Sequence, residues 1–170
     1  PFMQTKKPTI HNDNVLGEEF KIYPFTGYST TSLEKLNPLY GSKEDLKNLV
    51  ASAHKLDLKV LISLDPVYLS NSTRYTSEFS GIIAKDAPQC TSHDPKMFLT
   101  CTPSGYVRFN HDSKSFKQFF KSTIDRLIQT TNIDGFLIRS SRNIGEQMMN
   151  SLDQMVLGYS IKNPNFNIIY

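Results

Sequence analysis

The chain has 170 residues, 38% apolar and 21% charged, which suits a packed chain with one core rather than a disordered one. Lys plus Arg is 19 and Asp plus Glu is 16, giving a net charge of +3 with no basic run, so composition argues against a nucleic-acid or anionic-membrane surface. No apolar run approaches the roughly 20 residues that span a bilayer, and no signal-peptide core is present.

Residues 1–32 mix Pro, Gly, Asn and Thr without a sustained period, and read as a long loop with one short strand near Phe20–Tyr23. The first strong signal is "GSKEDLKNLVASAHKLDLKVLISLDP". Ser42 can cap a helix, and Asp45 suits its first turn. Leu46, Leu49, Val50 and Ala53 recur at helical spacing, and the pattern stops near Lys55–Leu56. "LKVLISL" is a nearly continuous apolar run, as in a parallel strand covered on both faces.

Residues 65–112 are rich in Ser, Thr, Pro and Asp. So long a structureless loop is unusual in a compact domain, so a small inserted subdomain is expected. Cys90 and Cys101 lie in it, in "QCTSHDPKMFLTC". Their spacing fits a local disulfide; free thiols, or a weak metal set with His93, also fit. Asn71 heads the sequon "NST", a candidate glycosylation site, and with the possible disulfide it favours an extracellular setting.

Regular periodicity resumes in "SKSFKQFFKSTIDRLIQTT", where Phe116, Phe119, Phe120, Ile124, Leu127 and Ile128 predict a helix. "DGFLIR" predicts a buried strand. "NIGEQMMNSLDQMVLGYSIK" predicts a helix with Ile144, Met148, Leu152, Met155 and Val156 on one face, and "NFNIIY" predicts a last strand. The start at Pro1 and the strand-like end lead us to expect an internal piece of a longer protein. Helices alternating with strands mean a parallel sheet. Periodicity alone fits both a doubly wound sheet and a barrel.

Two stretches separate these folds. "GYSTTSLEKLNPLYGSKEDLKNLVASAHKLDLKVLISLDPVY" and "NIDGFLIRS" resemble the alpha-amylase family of glycoside hydrolases, in order and with an insertion between them. The resemblance implies an α/β fold: a partial (β/α)8 TIM barrel, from the end of strand 2 to strand 5, with a small inserted subdomain after strand 3. Residues 1–64 and 113–170 would be barrel segments and 65–112 the insertion. Active groups of such barrels sit at the C-terminal strand ends. The family's third-strand D-x-x-x-N-H falls on Ser63, Val67 and Tyr68, and its "GYD" ends here in Ser29. On the fourth strand, the arginine that steers the nucleophile is replaced by Leu137, and the nucleophile by Arg139.

Retaining glycosidases use two carboxyl groups roughly 5–5.5 Å apart. A guanidinium stays protonated and cannot attack an anomeric carbon. The sequence therefore leads us to expect no enzyme, no catalytic residue, no cofactor and no metal. Asp134 is expected to point to the far end of the barrel, Asp65 to stand in the wrong register, and Glu146 to lie on the next helix. His54 and His111 are expected to be surface or capping residues, and Tyr28, Tyr68 and Tyr75 to pack the insertion on the barrel.

Arginine at the nucleophile position, tyrosine ending the third-strand motif, and "GSKED" also resemble the heavy-chain subunits of heteromeric amino-acid transporters. That resemblance implies a single-pass type II glycoprotein with the barrel outside the plasma membrane. It would chaperone and anchor a membrane light-chain transporter, disulfide-linked through a cysteine other than Cys90 or Cys101. A divergent active alpha-glycosidase and a free sugar-binding pseudoenzyme are the alternatives.

Overall fold

The computed structural model describes residues 3–5, 11–15, 18–22, 30–71, 81–90 and 99–170. Tyr28, Ser29, Tyr75 and His93 lie outside the described residues. Near the N-terminus β1 (Met3–Thr5) pairs antiparallel with β4 (Thr30–Leu36), and β2 (His11–Val15) with β3 (Glu18–Ile22). The segment expected to be mostly loop thus contains a hairpin and a paired strand. Short polar strands such as "HNDNV" gain their order from backbone pairing, which leaves no apolar period to read.

Chain direction then reverses through a 3-10 turn at Pro38–Tyr40, where the Asn37 side chain accepts the Leu39 N–H at 3.1 Å. Helix α1 (Lys43–His54) follows at once, started by a reciprocal cap. Ser42 Oγ accepts the Asp45 N–H at 3.2 Å, and Asp45 Oδ2 accepts the Ser42 N–H at 2.7 Å. These bonds hold the exposed Asp45 carboxyl below its usual value. Leu46 and Val50 are buried, whereas Leu49 is half exposed at 50%.

The centre is a parallel sheet in the order β5 (Leu61–Leu64), β8 (Gly135–Ile138), β9 (Asn167–Ile169). Helix α2 (Lys114–Thr131) enters β8, and α3 (Glu146–Ser160) joins β8 to β9. Asn132 ends α2 in the left-handed conformation, φ 56°. Alternate residues separate the faces. Ile62, Leu64, Phe136 and Ile138 are buried in one core with Phe116, Phe120 and Ile124 of α2 and Met148 and Leu152 of α3. Ser63, Leu137 and Arg139 fall on the other face of the sheet, toward the barrel axis, and Leu137 is 41% exposed there.

Between β5 and α2 lies a smaller body, built on the antiparallel pair β6 (Tyr68–Ser70) and β7 (Tyr106–Arg108). Cys90 and Cys101 are disulfide-bonded across its loops. Among the described residues no group of His, Cys, Asp and Glu could hold a metal ion. No helix among them is long and apolar enough to cross a membrane.

Candidate functional site

At the C-terminal end of the sheet, β5 runs into "DPVY" and β8 into "RSS". The register Leu64↔Ile138 puts Asp65 and Arg139 side by side, and the Arg139 N–H donates to Leu64 O at 2.7 Å. Asp65 folds back over its own loop: Oδ1 accepts the N–H groups of Val67 at 2.8 Å and Tyr68 at 3.0 Å. This is an aspartate turn, to which Pro66 contributes a fixed φ. The Ser140 hydroxyl donates to the other oxygen, Oδ2, at 2.6 Å. Burial lifts the Asp65 carboxyl above its ordinary value; Ser140, the two amides and the Arg139 charge oppose the rise without cancelling it.

A second set of contacts ties this mouth to the smaller body. Arg108 is 6% exposed. Its Nη2 donates to Asn143 O at 2.6 Å, in the turn after β8, and its Nη1 to the Tyr68 hydroxyl at 3.3 Å. The guanidinium also lies 5.6 Å from the Tyr68 ring centroid. Tyr68 in turn donates to Cys101 O at 3.3 Å. Burial raises the Tyr68 phenol and lowers the Arg108 guanidinium. His111 Nε2 stands 2.9 Å from Pro66 O. A carbonyl only accepts, so Nε2 carries the proton, and burial depresses the imidazole and favours its neutral form.

The sequence-derived positions fare differently. Ser63, Leu137 and Arg139 share the axis-facing surface, and the Ser63 Oγ is buried without a protein partner. Val67 is fully buried and Tyr68 bridges the mouth to the smaller body. Ser29 lies outside the described residues. Asn71 is exposed. Glu146 is the first residue of α3. Asp134 is at the opposite end of the sheet, where it accepts from His54 Nε2 and from the Val60 N–H, each at 2.8 Å. His54 is therefore a partner of a buried carboxylate rather than a surface residue, because the last turn of α1 points at the start of β8. His111 is likewise half-buried, held against the mouth by Pro66 O.

Sequence reasoning did not assign Arg108 or Ser140 to the mouth. Neither had a legible signal: Arg108 sits in a three-residue strand, and the partner of Ser140 is 75 positions away.

No family model matches the sequence. An uncharacterized glycosyl hydrolase of Schizosaccharomyces pombe is 23% identical over 137 residues, which cover 72% of this chain and 28% of that protein. An alpha-amylase of Niallia circulans is 23% identical over 139 residues, 71% of this chain and 26% of the relative. Among solved structures, the Geobacillus thermoleovorans alpha-amylase complexed with acarbose superposes with a TM-score of 0.75 at 16% identity. That match covers 99% of this chain and 34% of the amylase. The chain has the fold of a part of the alpha-amylase barrel. It spans about a third or less of the length of each of these proteins.

These comparisons correct the expectation of a protein without enzyme activity. The relatives are named as amylases and a glycosyl hydrolase. The inference from Arg139 and the altered positions Ser29, Ser63, Val67, Tyr68 and Leu137 was too strong, because changes at these positions do not empty the mouth of carboxyls. Asp65 is one, and it stands beside Arg139.

Proposed function

We propose that this chain is the strand-2-to-strand-5 segment of a divergent glycoside hydrolase of α-glucosidic bonds, with Asp65 as a working carboxyl of its mouth. The observation that carries the reading is the contact of Asp65 with Ser140 at 2.6 Å, which joins a carboxyl to the ends of two strands that carry motifs of the resembled family. Burial raises that carboxyl, which suits a proton donor to a glycosidic oxygen. Ser140 and the two loop amides fix its orientation. Arg139 cannot attack, but its N–H groups suit sugar hydroxyls. A second carboxyl would come from another strand of the barrel.

The test uses the full-length protein with 4-nitrophenyl α-glucoside and maltooligosaccharides. Asp65→Asn preserves an acceptor for the Val67 and Tyr68 amides, so its fold is expected to persist. Turnover should fall by about a hundredfold or more, the range of a lost general acid. Absence of turnover by the unaltered protein, or equal turnover by Asp65→Asn, would refute the reading.

A second reading rests on Arg139 and on the "GSKED" resemblance. In it the barrel lies outside the plasma membrane as the heavy chain of a membrane light-chain amino-acid transporter. Cys90 and Cys101 are bonded to each other, so the linking cysteine would be elsewhere. Purification from native membranes with and without reductant tests it: a partner released only by reductant supports it, and a protein running alone in both lanes refutes it.

A further inference from the structure

The smaller body contains a cavity of about 320 Å³ that shares only Arg108 with the contacts of the mouth. Arg108, Thr102, Lys85, Tyr106, Val107 and Ile83 are among the residues lining it. One of these, Thr102, has a polar group whose burial is not compensated. Thr102 is 3% exposed, and its hydroxyl has no protein partner. Burying an unbonded hydroxyl is costly, so such groups call for an explanation.

Arg108 poses the same question for charge. Its two Nη contacts go to neutral acceptors, a phenol and a peptide carbonyl; Asp65 acts on it only at longer range, and among the described residues no carboxylate forms an ion pair with it. A buried cation ordinarily has a counter-ion. Lys85 adds a second, exposed cation at the same cavity, and none of the described lining residues is acidic. The remaining wall is largely apolar, with Ile83, Val107, Ala84, Ala87 and the Tyr106 ring. One chain of contacts unites the polar groups: Arg108 donates to Tyr68, and Tyr68 to the carbonyl of Cys101, next to Thr102.

We propose that this cavity binds a small organic carboxylate. The carboxylate would face Arg108 and the Thr102 hydroxyl, with Lys85 at the entrance and the ligand's apolar body against Ile83 and Val107. The volume lies at the lower end of the range for small-molecule sites, and the mix of apolar wall with a few convergent polar groups is typical of them. The site shares Arg108 with the contacts that tie the mouth to the smaller body, but it does not include Asp65 and does not depend on the glycosidic chemistry.

Benzoate is the probe and benzyl alcohol its neutral counterpart, each titrated calorimetrically into the full-length protein. Benzoate should bind saturably and benzyl alcohol should not. Arg108→Gln risks the fold, because it removes contacts to Tyr68 and Asn143. Thr102→Val is the informative variant: it deletes only an unbonded hydroxyl, so the free protein should be as stable as before or more so. It should weaken benzoate about tenfold, the scale of one hydrogen bond to a charged group. Lys85→Met should weaken it a few-fold, and added salt should reduce that contribution. Equal binding of benzyl alcohol, no binding of benzoate, or unchanged affinity in Thr102→Val would overturn the proposal.

Discussion

Asp134 gives a sharp test of how the sheet is tied to its first helix. Its side chain is 4% exposed, and its Oδ2 accepts both His54 Nε2 and the Val60 N–H at 2.8 Å. Two donors from different elements therefore converge on one oxygen, joining the end of α1 to the entrance of β5. Asp134→Ala leaves both donors without that acceptor. Each part-buried donor left unpaired costs about 1–3 kcal/mol, so for the two the loss should be about 2–6 kcal/mol. Asp134→Asn can offer its amide oxygen to both donors and loses only the charge, so it should cost about 1 kcal/mol. His54→Ala removes one partner and should fall near the Asn variant. Urea unfolding of the full-length protein measures this through the midpoint at constant slope. The reasoning fails if Asp134→Ala lies within about 0.5 kcal/mol of the unaltered protein, or if the Asn and Ala variants are equal.

Gly135→Ala should be severe, because a Cβ there would lie 1.9 Å from the Asn167 carbonyl oxygen and force β9 off β8; loss of the transition that buries Phe166, or aggregation on expression, would register it. His111 sets an acid limit on stability: its imidazole is held neutral below the ordinary value of 6.5, so the unfolded chain takes up a proton first as pH falls through that value. Stability should therefore drop below about pH 6.5 until the folded histidine also protonates, and His111→Gln should flatten that slope in pH-dependent melting. Asp65 acts in the opposite sense, since the folded carboxyl holds its proton above 3.8. Its contribution to stability should fall as pH rises through that window, and Asp65→Asn should remove this component. Replacing Cys90 and Cys101 with serine should cost about 3 kcal/mol from the freed loop, measurable as a lower melting temperature.

The helices and central strands were legible because their side chains carry a period. Phe116, Phe120 and Ile124 mark one face of α2, and "GFLI" is apolar enough to read as a covered strand. Of the N-terminal hairpin, a strand near Phe20–Tyr23 was legible and overlaps β3, but its partner "HNDNV" was not, since the two hold together by backbone pairing. The insertion was legible as an interruption and through its cysteine pair, but its internal contacts were not. Tyr68 finds Arg108 by strand pairing and Cys101 across a loop, separations of 40 and 33 residues that local pattern cannot encode. At the mouth, the family resemblance located the strand ends correctly. What a given residue type does there was less accessible, because Asp65 acquires its role from Ser140, a partner that only the β5–β8 register supplies.

That register bears on how the proposed chemistry could tolerate Arg139. In the resembled pattern, arginine and carboxylate lie two residues apart on one strand and therefore share a face. Here Leu137 removes that arginine and Arg139 replaces that carboxylate, while a carboxyl is present on the neighbouring strand end at Asp65. Arginine and carboxyl remain adjacent, now across the sheet, and the Arg139 charge acts on Asp65 in the direction that favours ionisation. Burial acts against it and prevails, which leaves Asp65 closer to a proton donor than to a nucleophile. The proposed reading thus makes a directional demand. Arg139→Leu should raise the Asp65 carboxyl further and move the acid-donor limb of the pH–rate profile to higher pH. If that limb is unchanged in the variant, Arg139 and Asp65 do not act on each other in the working enzyme, and the proposed role of Asp65 falls with it.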